Sequence, residues 1–367
     1  MITSSTPNPF ERPRTLEQLL HDARRRVEVE ERELDEARRR RRLIDDALHE
    51  EFPESSTYYN GSVAHGDALT PLGDVDLGVV VAEAVESHGP GKKGPSDLQE
   101  RAANAIRRAL KPDFPQVTVE WRDRKRSIMV KFKSPVTTTA EDFTADVIVA
   151  IDNVEAEGLY IPRFTHWDKA HPEEHTRLVR NAIDKTEVAF ARIVRLLKHW
   201  NRSNSSPLCS WNIKALALGC ITEPTSMLDG LDDWFKYAVT ELQQGLTEDP
   251  AGVAEKPIKL NEDMTRTEVL DILREAHGRL QRAIYLEVTG YPLQAHEEIA
   301  RMFNDPEMLP FPDEQAVRVE VDRKYGADAA AAKASRESGR SRFGAAYVAN
   351  VGDGDGGPGV NARSWAP

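Results

Sequence analysis

The sequence is poor in cysteine, with only Cys209 and Cys220 among 367 residues. Two cysteines cannot build a disulfide framework, and no histidine stands beside them at a spacing typical of zinc ligands. The N-terminus has no apolar segment of the signal-peptide kind, and no run approaches the ~20 apolar residues of a membrane helix. We therefore expect a cytoplasmic protein with reduced thiols, no structural zinc and no membrane partner.

An excess of positive charge is also missing. The chain has 61 acidic and 49 basic side chains, which gives a formal net charge of −12. The overall basic character of a nucleic-acid coat protein is therefore absent, and nothing requires DNA as a partner. A Walker P-loop is absent as well, because the GPGKKGPS segment at 89–96 does not have the GxxxxGK[ST] spacing.

Hydrophobic residues, at 40% of the chain, are sufficient for a sizeable core, and their spacing near the N-terminus is helical. Residues 15–18 have the form of a capping box, and apolar residues recur at intervals of three, four or seven as far as Phe52. This spacing predicts one long helix that ends before Pro53. The arginine-rich run 38–42 is typical of a solvated helix face paired with nearby acids.

The rest of the chain divides into an α/β half and a helical half. Strands are predicted at 75–81, 117–122, 126–132 and 143–151. Helices are predicted at 98–110, 173–202, 210–221, 229–244, 265–288 and 293–303. We predict four regions: a disordered N-terminus (1–14), the long helix with the α/β half (15–165), a helical domain (166–325) and a disordered Gly-rich tail (326–367).

Two carboxylates stand directly before a run of valines. In a strand, residues i and i+2 point to the same face, so Asp74 and Asp76 project together while Val75 and Leu77 enter the core. The two charges repel each other unless a cation lies between them, and Mg²⁺ prefers oxygen ligands. Asp146, the single charge inside a later apolar strand, is the third ligand candidate. The pattern predicts a site for Mg²⁺, or Mn²⁺ in its place.

A glycine–serine pair precedes these acids by eleven residues. Gly61 lets a phosphate approach the backbone closely, and Ser62 offers a hydroxyl. The residues that follow can begin a helix, whose N-terminus favours anions. The pair therefore predicts the phosphate half of the same site.

In this order, the motifs resemble the nucleotidyltransferase superfamily of the DNA polymerase β type. Its signature is hG[GS], a short spacer, [DE]h[DE]h and a later acidic strand residue. The matching residues are Asn60-Gly61-Ser62, Asp74-Val75-Asp76-Leu77 and Asp146. Asn60 departs from the usual hydrophobic residue. The resemblance implies an α+β fold: a polymerase β-like core with a mixed sheet, a long N-terminal helix and a C-terminal helical domain.

The helical half extends the resemblance. Lys198, followed by Ser210-Trp211, is similar to a pattern in the branch that contains oligoadenylate synthases and cyclic GMP-AMP synthase. In that branch the lysine and serine hold a nucleoside triphosphate and the aromatic residue stacks on its base. The resemblance implies that Gly61, Ser62, Lys198, Ser210 and Trp211 bind nucleotide. From the residues alone, Trp211 is also compatible with a core position.

Within that branch, the long helix and the lack of a zinc-binding insertion resemble the bacterial CD-NTases. These enzymes join NTPs into cyclic di- or trinucleotide signals in anti-phage defence (CBASS). The resemblance implies NTP substrates with ATP among them, a downstream cyclic-nucleotide effector, and a ubiquitin-transfer-like partner that modifies the tail. It also implies two Mg²⁺ ions: one on Asp74 and Asp76, and a second that Asp146 helps to hold.

Two other readings stay open. The chain could be an RNA-tailing or antibiotic-modifying nucleotidyltransferase; the net negative charge disfavours RNA tailing. It could also be a catalytically inactive nucleotide-binding scaffold, which the retention of all three acids disfavours.

Other charged residues near the motifs have simpler explanations. Arg124, Lys125 and Arg126 are typical of a β-turn with exposed charges, although they could form a basic lip of the site. His65 could face a phosphate, but a solvated position is the simpler expectation. His199 should lie on a different helix face from Lys198, because adjacent helical residues diverge by about 100°.

Overall fold

The computed structural model describes residues 13–137, 141–253 and 256–344. Two compact units divide the chain at Pro312. In the first, the described residues form the sheet and ten α-helices. In the second, the described residues form one helix, α11 (Glu314–Gly344). Much of the predicted N-terminal segment, and the tail beyond residue 344, lie outside the described residues, and the predicted domain boundaries stay predictions.

One mixed sheet of seven strands organises the first unit. Its strands are β1 (Ser56–Asn60), β2 (Asp74–Val80), β3 (Thr118–Glu120), β4 (Ile128–Lys131), β5 (Thr144–Asp152), β6 (Leu159–Arg163) and β7 (His166–Ala170). Five strands follow the order β1-β2-β5-β4-β3, β6 pairs with β5, and β7 pairs with β6. The pairing of β2 with β5 is parallel and the other pairings are antiparallel. The predicted α+β class is therefore confirmed.

Ten helices surround the sheet or pack beside it. They are α1 (Leu16–Arg26), α2 (Glu31–Glu51), α3 (Gly61–Ala64), α4 (Ser96–Leu110), α5 (Pro172–Lys185), α6 (Ala189–Ser203), α7 (Ser210–Cys220), α8 (Met227–Gln244), α9 (Arg266–Thr289) and α10 (Pro292–Phe303). One buried cluster joins the sheet to α2 and α4, and a second fills the space among α1, α6, α8, α9 and α10. No helix in the described residues has the length and apolar character needed to cross a bilayer.

The predicted N-terminal helix is two helices. The capping box at Thr15 is present as predicted, but α1 ends at Arg26 and α2 starts at Glu31. Between them, Glu28 forms a β-bridge with Leu69, and the Thr70 N–H donates to the Val27 carbonyl. Backbone hydrogen bonds to a distant loop replace helical ones here, so the prediction of one uninterrupted helix was wrong.

The predicted helix 173–202 is also interrupted. Glu187 and Val188 have φ angles of 50° and 66°, in the left-handed region, between α5 and α6. Thr186 stabilises the junction, since its hydroxyl donates to the Ala182 carbonyl and accepts from the Phe190 N–H. Apolar periodicity continues across the junction because both helices bury one face, so the sequence pattern does not show the break.

Candidate active site

The sheet brings the three predicted acids together. Val75 and Leu77 are buried, so Asp74 and Asp76 project from the opposite face of β2. Asp146 is the register partner of Asp76 on the parallel neighbour β5. Carboxylate oxygens of the three residues lie within 4.8 Å of one another. The two strands are distant in sequence, and their parallel pairing fixes this arrangement.

Three carboxylates this close are electrostatically unfavourable without a cation. Burial, with the neighbouring Asp74 and Asp146, raises the pKa of Asp76 to about 7. Burial also raises the pKa of Asp146, against the opposing effect of Arg124. The Arg124 Nη2 atom is 3.5 Å from Asp146 Oδ1, and this buried oxygen accepts no hydrogen bond among the described residues. Hard oxygen donors around an uncompensated charge fit a divalent cation such as Mg²⁺.

The Gly-Ser turn lies against these acids, and no other residue type fits at its first position. Gly61 has a φ of 76°, and a Cβ there would be 1.7 Å from Asp76 Oδ2. The Asn60 side chain accepts the Gly61 N–H at 2.7 Å, which explains a polar residue where the superfamily signature has a hydrophobic one. The predicted helix start is the single turn α3, of four residues.

A cavity of about 430 Å³ opens beside the turn and the acids. The predicted residues Gly61, Ser62, Asp74, Asp76, Lys198, Ser210 and Trp211 all line it. Asp146 is next to Asp76 at the edge of this group and does not line the cavity. Further lining residues, which the sequence analysis did not assign to the site, are Asn60, Leu69, Leu72, Gly73, His175, Arg202 and Lys214.

Trp211 presents one ring face to His175. Their ring centroids are 4.1 Å apart with an interplanar angle of 30°, and His175 Nε2 is 2.8 Å from Asp249 Oδ1. Trp211 also packs at the margin of the helical core. Both readings of the sequence therefore apply: the indole is partly a core residue, and it still lines the cavity.

A buried ion network supports the cavity wall beside Ser62. Asp67, 1% exposed, lies 2.8 Å from Lys198 Nζ through Oδ1 and 2.8 Å from Lys214 Nζ through Oδ2. Burial by itself would raise the pKa of Asp67, but Lys214 and Lys198 outweigh it and lower the pKa to about 2. Asp67 is therefore ionised, and it neutralises one of the two lysines.

His65 is part of the same network. It is 3% exposed, and burial together with Lys214 lowers its pKa to about 3, so its ring is neutral. Lys214 donates to Nδ1 at 2.7 Å, and Nε2 donates to Thr176 Oγ1 at 3.1 Å. The Thr176 hydroxyl is 3.3 Å from Asn60 Oδ1, the cap of the Gly-Ser turn. The expected solvated position for His65 was wrong.

The other charged residues occupy separate places. His199 pairs with Asp305 at 2.9 Å, away from the cavity, as its helix position predicted. Arg126 is 3.3 Å from Asp168, and the Lys125 carbonyl accepts the Phe164 N–H. Among Arg124, Lys125 and Arg126, Arg124 alone forms an ion pair with an acid of the carboxylate cluster, Asp146.

Lys214 could have been found from the sequence. It is the single charged residue in the apolar helix SWNIKALALGC, the same signal that identified Asp146 in its strand. Asp67 had no such signal, because it lies in a loop of mixed polar and apolar residues between the Gly-Ser turn and β2.

Comparison with known proteins identifies the fold. No protein-family model and no curated protein matches the sequence. CdnC of Escherichia coli MS115-1 with ATP matches with a TM-score of 0.60 and 15% identity, over 80% of this chain and 98% of that one. Vibrio cholerae DncV cyclic AMP-GMP synthase, in complex with the linear intermediate 5′ pppA(3′,5′)pG, matches with a TM-score of 0.61 and 12% identity, over 83% and 100%. Escherichia coli DncV in its 3′-deoxy GTP bound form matches with a TM-score of 0.59 and 12% identity, over 77% and 93%. The fold implied by the resemblance to CD-NTases is confirmed.

Proposed function

We propose that this chain is a CD-NTase that joins NTPs, with release of pyrophosphate, into a cyclic di- or trinucleotide. One observation carries the proposal: the three carboxylates lie within 4.8 Å of one another, and Asp74 and Asp76 line the same cavity as Ser62, Lys198, Ser210 and Trp211. The fold supports it, because a similar structure is that of a cyclic AMP-GMP synthase with a linear intermediate.

Asp74, Asp76 and Asp146 would hold two Mg²⁺ ions, or Mn²⁺ ions in their place. The donor set fits, since it consists of carboxylate oxygens alone and leaves a buried Asp146 oxygen without a hydrogen bond among the described residues. A bound divalent ion offsets phosphate charge and lowers the pKa of a coordinated hydroxyl.

The remaining site residues orient the nucleotide. Ser62 and Ser210 offer hydroxyls and Lys198 an ammonium to the triphosphate, because phosphate oxygens accept hydrogen bonds strongly from such groups. The Trp211 face away from His175 would stack on the base, an interaction worth about 1–3 kcal/mol. ATP is expected among the substrates.

The bond changes follow from this orientation. The ribose hydroxyl oxygen of one nucleotide attacks the α-phosphorus of the other, and the bond from that phosphorus to the β-phosphate oxygen breaks. Pyrophosphate leaves, and Asp146 accepts the hydroxyl proton. A second round on the linear product closes the ring.

We place this activity in cytoplasmic anti-phage signalling of the CBASS type, which the resemblance to CD-NTases supports. A cyclic-nucleotide effector would receive the product. The Gly-rich tail, which lies outside the described residues, would be the site for a ubiquitin-transfer-like partner.

Product analysis tests the proposal. Purified protein is incubated with Mg²⁺, or Mn²⁺, and all four labelled NTPs, and phosphatase-resistant products are separated. We expect a cyclic product that Asp76→Asn reduces at least ~100-fold, since a carboxylate of the metal site is lost. Asp152→Asn is the matched control: Asp152 is an exposed acid at the other end of β5, and its loss should leave product formation unchanged.

Other outcomes favour the alternatives. Extension of added RNA would indicate an RNA-tailing enzyme, and labelling of an aminoglycoside an antibiotic-modifying one. Binding of an NTP without turnover under all conditions would indicate a nucleotide-binding scaffold and contradict the proposal.

A further inference from the structure

The polar groups that hold Lys198 and Lys214 come from one short segment, residues 65–67. Lys198 Nζ donates to both Asp67 Oδ1 and the Asp67 carbonyl, at 2.8 and 2.9 Å. Lys214 Nζ donates to His65 Nδ1 at 2.7 Å and pairs with Asp67 Oδ2 at 2.8 Å. The two lysines belong to different helices, α6 and α7, so this segment joins both helices to the Gly-Ser turn.

An ammonium group has three N–H donors, and each of these lysines has two polar partners among the described residues. At least one donor therefore remains on each, since Asp67 Oδ2 forms an ion pair with Lys214 but accepts no hydrogen bond among the described residues. Both lysines line the cavity, although their side chains are only 9% and 5% exposed. The remaining donors are thus available to a ligand in the cavity rather than to bulk solvent.

The network also fixes the charge of this wall. Two ammonium groups and one carboxylate give a formal net charge of +1 next to Ser62, in the same cavity that Asp74 and Asp76 line. Burial lowers the pKa of Lys214, and the Asp67 carboxylate opposes that change. A buried carboxylate would weaken an anion site if its only effect were its charge. Its geometry compensates, because it holds two donors in fixed positions.

We propose that Asp67, assisted by His65, is a positioning residue that orients Lys198 and Lys214 as a pair of donors to the triphosphate of the bound NTP. This inference rests on the proposed function for the identity of the ligand. It adds Lys214 to the phosphate-binding residues, and it assigns to Asp67 a role exerted through the lysines rather than through contact with substrate.

Affinity for inorganic tripolyphosphate, measured by calorimetry with Mg²⁺ present, tests the proposal without a base and without turnover. Asp67→Asn keeps the side-chain shape but loses the charge, and we expect the affinity to fall about tenfold or more. Asp142→Asn is the matched control, since Asp142 is a mostly buried acid paired with Arg40. Both variants should melt at lower temperature, but Asp142→Asn should bind tripolyphosphate like the wild type.

A double-mutant cycle separates positioning from a general effect on the fold. If Asp67 acts through the lysines, Asp67→Asn should reduce tripolyphosphate affinity less in a Lys214→Met background than in the wild type. Additive losses would contradict the proposal. Unchanged or tighter binding by Asp67→Asn would overturn it, as would a wild-type protein that does not bind tripolyphosphate.

Should Asp67→Asn fail to fold, His65→Phe takes its place, because it removes the acceptor of Lys214, together with the donor to Thr176, and leaves Asp67 in place. Weaker tripolyphosphate binding is then expected, and unchanged binding overturns the proposal.

The proposed function and this inference can be contradicted independently of each other. Tripolyphosphate binding that depends on Asp67, without any cyclic product, would contradict the proposed function alone; a cyclic product with binding independent of Asp67 would contradict this inference alone.

Discussion

At the scale of single residues, Gly61 lies so close to Asp76 that a larger side chain in its place would overlap the carboxylate. A Cβ on Gly61 would overlap Asp76 Oδ2, at 1.7 Å, and the left-handed φ of 76° adds backbone strain for any other residue. The glycine therefore does two things: it permits the turn, and it leaves room for a carboxylate of the predicted metal site.

Gly61→Ala and Gly66→Ala should separate these two effects. Gly66 also has a positive φ, of 68°, but a Cβ there meets nothing within 4 Å. Both variants should lose about 1 kcal/mol of stability from backbone strain. Only Gly61→Ala should abolish product formation and weaken Mn²⁺ binding, because only it displaces Asp76. Equal activity of the two variants in nucleotide turnover, with equal Mn²⁺ affinity by calorimetry, would contradict this account.

At the scale of elements, one buried arginine of α2 packs against the sheet and stabilises the contact between them. The Arg40 side chain is 2% exposed and pairs with Glu36 at 2.8 Å and Asp142 at 2.7 Å. Its guanidinium also lies 4.5–5.0 Å from the ring centroids of Phe114, Phe132 and Phe143. The arginine-rich run was predicted to be a solvated face. That holds for Arg38, which is 41% exposed and pairs with Glu31 and Asp35, but it is wrong for Arg40.

Arg40→Met should therefore destabilise the protein by about 3–5 kcal/mol, because Asp142 loses its partner while mostly buried. Arg38→Met, on the same helix, should cost less than about 1 kcal/mol, since exposed ion pairs contribute little. Urea unfolding of both variants measures the difference. Similar losses for the two variants would show that the buried pair contributes no more than the exposed one.

At the scale of the whole molecule, burial at the cavity shifts the pKa of a histidine and the pKa of an aspartate in opposite directions. The pKa of His65 falls to about 3, so the folded protein resists protonating it, whereas the pKa of Asp76 rises to about 7, so the folded protein resists its ionisation. The contribution of neutral His65 is full above pH 6.5 and is lost as the pH falls toward 3. The contribution of Asp76 has the opposite sign: it is present below pH 3.8 and is lost as the pH rises toward 7.

Comparison of variants isolates each contribution to the free energy of unfolding in metal-free buffer. Between pH 4 and 6, the stability of the wild type relative to His65→Gln should rise with pH by about 1.4 kcal/mol per unit. Relative to Asp76→Asn, it should fall with pH over the same range by a similar amount. Urea unfolding at three pH values measures both slopes. Slopes of the same sign would contradict the protonation states assigned to the two residues.

The sequence by itself determined the features that depend on local spacing. Two-residue periodicity puts Asp74 and Asp76 on one face of a strand, and a charge inside an apolar strand singles out Asp146. Most helix and strand positions followed from the same periodicities, whereas the α+β class was implied by the resemblance. The nucleotide roles of Ser62, Lys198, Ser210 and Trp211 came from the resemblance and stay predictions, although the fold brings all four residues to one cavity.

The tertiary structure decided what depends on contacts between distant segments. Asp67 and Lys198 are 131 residues apart, and His65 and Lys214 are 149 apart, so no local pattern relates them. The break between α1 and α2 likewise results from the bridge between Glu28 and Leu69. A buried charge is stable only beside its partner, and the partner is known only once the chain is folded. The cluster of three carboxylates was therefore evident in the sequence, whereas the network of Asp67 with Lys198 and Lys214 was not.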